Sequence, residues 1–196
     1  MIGDYAFFAC SSLTSIEIPD TVTSIGESAF YWSKSLSSIE IPDSVSKIGT
    51  NPFMGCDNLR EIYISPDSEY LAVIDGILYN KQDKGLVCYP CAKQDLSFVI
   101  PSGIEVIGDY AFSVCSSLTS IEIPDTVTQI GDSAFSWCES LTNIEIPDTV
   151  TSIGEGAFSG CDNLTLTVPR DSYVEQYCID NGLKYTYADS LDWLTN

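Results

Sequence analysis

An isoleucine–glycine pair that returns at a fixed interval constrains this chain more than any other feature of its sequence. The pair occupies residues 2–3, 25–26, 48–49, 107–108, 130–131 and 153–154, so neighbouring copies within each run lie 23 residues apart. A period of this length is typical of repeats that stack, because a unit of about 20–45 residues cannot bury its own apolar face. The 196-residue chain is therefore predicted to form one elongated solenoid.

Aligned copies share the pattern I-G-x-x-A-F-x-x-C-x-x-L-x-x-I-x-I-P-D-x-V-x-x, with the first isoleucine as position 1. The I-x-I segment alternates like a strand, with both isoleucines inward and the intervening residue outward, and the proline ends it. Each turn is thus expected to supply one strand, and in-register stacking should build one parallel sheet along the solenoid. The aspartate after the proline is expected to close the turn by accepting a backbone N–H. The phenylalanines at position 6 are predicted to stack in the core: Phe7, Phe30, Phe53, Phe112, Phe135 and Phe158.

The unit resembles a leucine-rich repeat and, more specifically, the BspA-like subclass of bacterial leucine-rich repeat proteins. The segment Leu13–Phe30 carries the match, and it returns at Leu118–Phe135 and Leu141–Phe158. The resemblance implies an α/β-type, right-handed repeat solenoid with short parallel strands on its concave face. For function it implies adhesion and host interaction by a surface-exposed or secreted protein. It implies no reaction and no cofactor.

The solenoid is predicted to cover residues 1–169, with one expanded repeat at about 65–97. Within that repeat, the β-prone runs 76–79 and 86–89 flank a polar turn and predict a β-hairpin insert. Residues 2–26 recur at 107–131, an offset of 105, which indicates duplication of a block. Residues 170–196 are predicted to form a C-terminal cap, with a helix at about 172–181 and a final strand at about 184–187.

The charge of the chain favours some partners over others. With 28 acidic and 8 basic residues, the net charge of −20 opposes binding to nucleic acid and favours a basic protein partner. No apolar stretch is long enough for membrane insertion. A secreted or cell-surface location is expected from the resemblance, although the chain contains no signal peptide, and a cytoplasmic location is the alternative. Because the chain opens inside a repeat, it is expected to be a fragment and to expose an N-terminal edge for edge-to-edge self-association.

Neither catalysis nor metal binding is predicted, because the chain contains no histidine, no phosphate-binding loop and no dinucleotide fingerprint. No cofactor is expected. The position-9 cysteines are expected to be free, buried thiols, since Ser33 replaces cysteine in one copy: Cys10, Cys56, Cys115, Cys138 and Cys161. A disulfide or metal role for the pair Cys88 and Cys91 is the alternative to two more free thiols.

Outward positions of the predicted strands form the candidate ligand-binding face. Its residues are Glu17, Glu40, Glu61, Tyr63, Val99, Glu122 and Glu145. The functional hypothesis is a track for a basic peptide or an extracellular-matrix protein, with Tyr63 as an aromatic anchor. A divalent cation is a weaker alternative, because calcium needs six to eight oxygens and one row supplies few; the third alternative is a solvated face without a ligand. Trp32 and Trp137 form a second candidate surface. The predicted function is non-catalytic protein recognition within a bacterial adhesin, and the alternative is a structural spacer or a self-assembling scaffold.

Overall fold

The structure is a computed structural model that describes residues 1–188. Two columns of short strands run along the repeats, and an antiparallel segment interrupts them in the middle of the chain. In chain order the strands are β1 (Ser24–Ile25), β2 (Ser38–Ile41), β3 (Lys47–Ile48), β4 (Glu61–Ile64), β5 (Leu71–Ile74), β6 (Ile77–Asn80), β7 (Gly85–Cys88), β8 (Ser97–Val99), β9 (Val106–Ile107), β10 (Ser120–Glu122), β11 (Gln129–Ile130), β12 (Asn143–Glu145), β13 (Ser152–Ile153), β14 (Thr165–Val168) and β15 (Tyr185–Tyr187). A 3-10 helix covers Cys91–Lys93, and helix α1 covers Tyr173–Asn181.

The strands of the I-x-I segments form two parallel sheets, and the prediction of one continuous sheet is wrong. β2 pairs with β4, whereas β8, β10, β12, β14 and β15 form a separate five-stranded sheet. The expanded repeat explains the break, because it separates β4 from β8 along the chain and leaves them unpaired with each other. The first copy also departs from the prediction, since residues 15–18 do not form a strand.

A second column of two-residue strands lies at the Ile-Gly pairs, and the sequence analysis did not predict it. β1 pairs with β3, and β9, β11 and β13 pair in register. Glycine is required there by close approach, because a Cβ on Gly131 would lie 2.8 Å from the Gly108 carbonyl carbon of the preceding turn. A side chain at this position would therefore push adjacent turns apart.

The expanded repeat contributes an antiparallel meander of three strands. β5 pairs with β6 and β6 with β7, while β7 also pairs in parallel with β9. The meander therefore merges with the second column into one six-stranded sheet. β5 is an addition to the strands expected from the sequence.

The core is built from the repeated apolar columns, and it divides into two clusters. Phe30 stacks between Phe7 and Phe53 in the first cluster, with ring centroids 5.0 and 5.5 Å apart. In the second cluster Phe112 lies between Tyr89 and Phe135, at 5.2 Å from each. The predicted burial of the phenylalanine column is confirmed, except that Phe7 is only half-buried.

Two backbone carbonyls close the turns of each repeat. The Val22 N–H donates to the Pro19 carbonyl at 2.9 Å, and the other copies have the same bond. The backbone therefore closes this turn, and the side chain of the aspartate that follows the proline does not.

At position 9 the side chain donates to the position-6 carbonyl of the preceding turn: Ser33 Oγ to Phe7 at 2.8 Å and Cys138 Sγ to Phe112 at 3.0 Å. Cysteine and serine interchange there because both can donate this bond.

The C-terminal end of the described chain is the α1 helix followed by β15. Ser172 caps the helix by accepting the Glu175 N–H at 3.1 Å, and Glu175 in turn accepts the Asp171 N–H at 2.7 Å. Gly182 ends it in a left-handed conformation. Of the proposed cap at 170–196, residues 189–196 lie outside the described residues. Within residues 1–188 no helix has the length and apolar character needed to cross a membrane.

Candidate recognition surface

The outward side chains of β2, β4, β8, β10 and β12 form an exposed surface, which we call the sheet face. Along these strands buried residues alternate with exposed ones, as in Glu61–Ile64, where Glu61 and Tyr63 are exposed and Ile62 is buried. The alternation follows from the pleat of a strand, which points successive side chains to opposite sides. The sheet face therefore presents one side chain per turn at each outward position.

Three of the predicted residues meet on the first sheet. Glu40 of β2 lies directly opposite Tyr63 of β4 in the parallel register. The Tyr63 ring is 50% exposed, and its hydroxyl donates to the carboxylate of Glu61. This hydrogen bond to a carboxylate raises the pKa of the Tyr63 hydroxyl. The cluster combines an accessible aromatic ring with two carboxylates.

The second sheet brings three further residues together. Val99, Glu122 and Glu145 occupy corresponding positions on β8, β10 and β12. Val99 is 59% exposed and adds an accessible aliphatic side chain to the row of carboxylates. These three residues line a shallow groove of about 920 Å³, together with Phe98 and Asn143. Glu17 is exposed, but residues 15–18 do not form a strand, so Glu17 has no paired position in either sheet.

A second groove, the central groove, lies at the gap between the two sheets. It has a volume of about 900 Å³ and is lined by β4, the β5–β6 turn, residues 92–95 and Phe98. Lys93 Nζ donates to the Asp75 carbonyl at 2.8 Å and lies 4.0 Å from the Asp95 carboxylate. Sequence reasoning missed Asp75, Lys93, Asp95 and Phe98 because they lie in or beside the expanded repeat, where the 23-residue alignment provides no register.

One wall of the central groove is held by a disulfide that contradicts the cysteine prediction. Cys91 is bonded to Cys115, so Cys115 is not a free thiol and Cys91 does not pair with Cys88. The two cysteines come within reach because residues 89–91 lie on the repeat that contains Cys115, as the bond from the Tyr89 N–H to the Ala111 carbonyl illustrates. Sequence spacing carried no signal for this contact.

The other position-9 cysteines are free, as predicted: Cys10, Cys56, Cys138 and Cys161. The predicted burial holds for the last three, whereas Cys10 is only partly buried. Cys88 is also free and buried. Burial raises the pKa of the Cys56 and Cys138 thiols to about 12. Both thiols therefore remain protonated and weakly nucleophilic at neutral pH.

Two tryptophans form a separate surface away from the sheet face. Trp32 and Trp137 are 48% and 58% exposed, and both have a left-handed backbone with φ of 60°. Each indole lies over a glycine of the next turn, Trp32 over Gly55 and Trp137 over Gly160. A Cβ on Gly160 would lie 2.8 Å from the Trp137 ring, so the glycine provides the space that the indole occupies. Packing between turns accounts for part of each tryptophan's contact area.

Groups suited to a metal ion are missing from the described part of the chain. No cluster of three or more histidine, cysteine, aspartate or glutamate residues within residues 1–188 could hold one. The carboxylates of the sheet face project singly from successive strands.

The solved structures that resemble this chain are bacterial leucine-rich repeat proteins. A leucine-rich repeat protein from Eubacterium ventriosum matches with 35% identity and a TM-score of 0.79, over 86% of this chain and 45% of its own. A leucine rich cell surface protein from Faecalibacterium prausnitzii matches with 32% identity and a TM-score of 0.74, over 99% and 59%. The pneumococcal vaccine antigen PcpA matches with 26% identity and a TM-score of 0.64, over 85% and 53%. This chain thus spans about half the length of these proteins.

Comparison with curated proteins found no match, whereas comparison with protein families gave a result that agrees with the structural neighbours. The model of the BspA type leucine rich repeat region matches six copies over residues 1–75 and 88–187. Those ranges contain both strand columns, the two phenylalanine stacks and the sheet face. The chain belongs to the BspA-type leucine-rich repeat family.

Proposed function

We propose that this chain is a non-catalytic protein-recognition module of a bacterial cell-surface or secreted protein, and that it contacts its partner through the sheet face on the concave side of the solenoid. The observation that carries the proposal is the exposure of Tyr63 and Val99 between rows of carboxylates. Accessible aromatic and aliphatic side chains framed by charge are the composition of a binding hot spot with a polar rim.

The charge of the sheet face supports a basic partner, such as a lysine-rich or arginine-rich segment of a matrix protein. Glu122 and Glu145 lie opposite each other on adjacent strands. Two carboxylates about 5 Å apart repel by about 0.8 kcal/mol at the dielectric of water, and a cation placed between them removes this cost. Catalysis by such a pair is disfavoured, because acid–base chemistry needs two carboxylates in unlike environments.

Two observations support a location outside the cytoplasm. The Cys91–Cys115 disulfide is typical of oxidising compartments. The similar protein from Faecalibacterium prausnitzii is described as a cell surface protein. The family and the chemistry of the sheet face support the adhesin role.

A matched pair of double variants tests the proposal. Glu40→Lys with Tyr63→Ala alters the sheet face, whereas Glu139→Lys with Trp137→Ala makes the same chemical change on the tryptophan surface. We expect the first variant to lose at least tenfold in affinity for any extracellular-matrix protein that the wild type binds in a purified panel, measured by biolayer interferometry, and the second to retain it. Loss in the second variant alone would move the site to the tryptophan surface. Retention by both would place the binding site outside these two surfaces, and a wild type that binds no member of the panel would favour the structural spacer or the self-assembling scaffold.

A further inference from the structure

Two strand edges face the central groove without a partner strand. In the sheets formed by residues 1–188, β4 is paired with β2 on one side only, and β8 with β10 on one side only. An unpaired edge presents a row of backbone N–H and C=O groups, which is the template that an added strand uses. The break in the sheet therefore creates a pair of acceptor edges in the interior of the solenoid.

The groove between these edges is preformed. On one side the Asp75–Gly76 turn approaches β4, and a Cβ on Gly76 would lie 3.4 Å from the Arg60 carbonyl oxygen. On the other side the 3-10 helix is tied to the next repeat by the Cys91–Cys115 disulfide. Lys93 joins the two walls through its bond to the Asp75 carbonyl. A peptide that enters would not have to order these elements, which lowers the entropic cost of binding.

The lining of the groove indicates the chemistry of the peptide. Its lower part contains partly buried apolar side chains, including Ile64, Val73 and Phe98. Its charged lining consists of Glu61, Asp75 and Asp95 against Arg60 and Lys93. Lys93 already contacts Asp95 and the Asp75 carbonyl. An occupant with alternating apolar and basic side chains would match this lining. Its apolar side chains would contact the partly buried apolar residues, and its basic side chains would contact the carboxylates of the sheet face.

We infer that the central groove accepts an extended segment of a protein partner, with alternating apolar and basic residues, which adds as a strand between β4 and β8. The inference rests on the proposed function, because it specifies how that partner is held. The volume of about 900 Å³ lies within the range of about 300–1,000 Å³ that is usual for ligand sites. Main-chain hydrogen bonds to the two edges would provide affinity, and Tyr63 and Phe98 would select side chains.

A library of fluorescein-labelled hexapeptides provides the probe, with valine, isoleucine, leucine or phenylalanine at odd positions and lysine or arginine at even positions. Binding to the disulfide-bonded wild type is measured by fluorescence polarisation. The tightest peptide is then remade with N-methyl groups on alternate backbone amides, which leaves its side chains unchanged and removes strand pairing. We expect methylation of each alternating set of amides to weaken binding at least tenfold, because one set faces β4 and the other faces β8. Loss of affinity in only one methylated form would contradict a strand held between the two edges.

Protein variants locate the site. Ala92→Trp places a bulky ring in the groove and is expected to weaken peptide binding at least tenfold, whereas Ser116→Trp, on an exposed turn outside the groove, leaves it unchanged. Circular dichroism melts check that both variants fold. Hydrogen exchange of the wild type adds a readout that requires no variant: with peptide bound, amides in both β4 and β8 should exchange more slowly.

Several results would overturn the inference. They are the absence of binding by any library member, equal binding of both methylated forms and the parent peptide, or protection confined to strands other than β4 and β8. If these occur while Glu40→Lys with Tyr63→Ala still abolishes partner binding, only the strand-addition mechanism fails. If peptides add as strands but the double variant keeps every partner interaction, the sheet face is the part of the proposal that fails.

Discussion

Residues 15–18 and 120–123 have the same sequence, Ser-Ile-Glu-Ile, yet only the second segment contains a strand. The identity extends further, because residues 13–26 and 118–131 differ only at Ser24 and Gln129. In the second copy Ile121 is buried, whereas Ile16 in the first is only partly buried. A nearly identical sequence thus has two local structures within one molecule.

The difference lies in the neighbours of each segment. β10 pairs with β8 on one side and with β12 on the other, so its backbone groups are bonded in both directions. Residues 15–18 have only the turn that contains β2 beside them in the described structure, and they form no ladder with the free edge of β2. The stability of a repeat is the sum of its own term and the interface terms with its neighbours. The comparison indicates that contacts with neighbouring repeats, rather than the local sequence, determine whether this segment forms a strand.

The largest expected effect concerns the phenylalanine stack. Phe112 is fully buried between two rings, whereas the half-buried Phe7 stacks only on Phe30. We expect Phe112→Ala to lower the free energy of unfolding by about 3–5 kcal/mol and Phe7→Ala by about 2 kcal/mol or less. Urea denaturation followed by circular dichroism measures both values. Equal losses would mean that the two copies are held with similar strength despite their different pairing.

The disulfide gives a second contrast between equivalent positions. Cys115 is bonded to Cys91, and its counterpart in the first copy, Cys10, is a free thiol. Cys115→Ser is expected to cost about 3 kcal/mol, because the bond restricts the unfolded chain over a separation of 24 residues. Cys10→Ser serves as the matched control and should change stability much less. A Cys115→Ser protein as stable as the control would show that this link adds nothing to the second copy.

The smallest effect is also the most direct test of the comparison. Amide hydrogen exchange should be at least about tenfold slower at Ile121 than at Ile16, since residues that open locally exchange faster. The flanking sequences are almost the same, so intrinsic exchange rates nearly cancel. Similar rates at the two sites would show that residues 15–18 are as well ordered as β10, and would remove the basis of the comparison.

Periodicity predicted those features that each repeat determines by its own pattern. The buried ring at Phe30 or Phe112 and the exposure of Glu40 and Val99 follow from the 23-residue spacing and the alternation of a strand, whereas the family was predicted from the resemblance of the repeat motif. The gap between β4 and β8 could not be predicted in this way, because it depends on how the expanded repeat meets its neighbours. The Cys91–Cys115 contact joins a residue outside the alignment to one within it. The central groove arises from the same irregular segment.

The two tryptophans of the repeats provide an optical consequence of the turn packing. Trp32 and Trp137 each rest on a backbone glycine of the following turn, one in each copy of the duplicated block. Movement of that turn would uncover the lower side of the indole to water and shift its fluorescence emission to longer wavelength. Replacing one of them together with Trp193 by phenylalanine would leave the other as the single tryptophan of the chain, so loosening of one half of the solenoid could be followed by its emission.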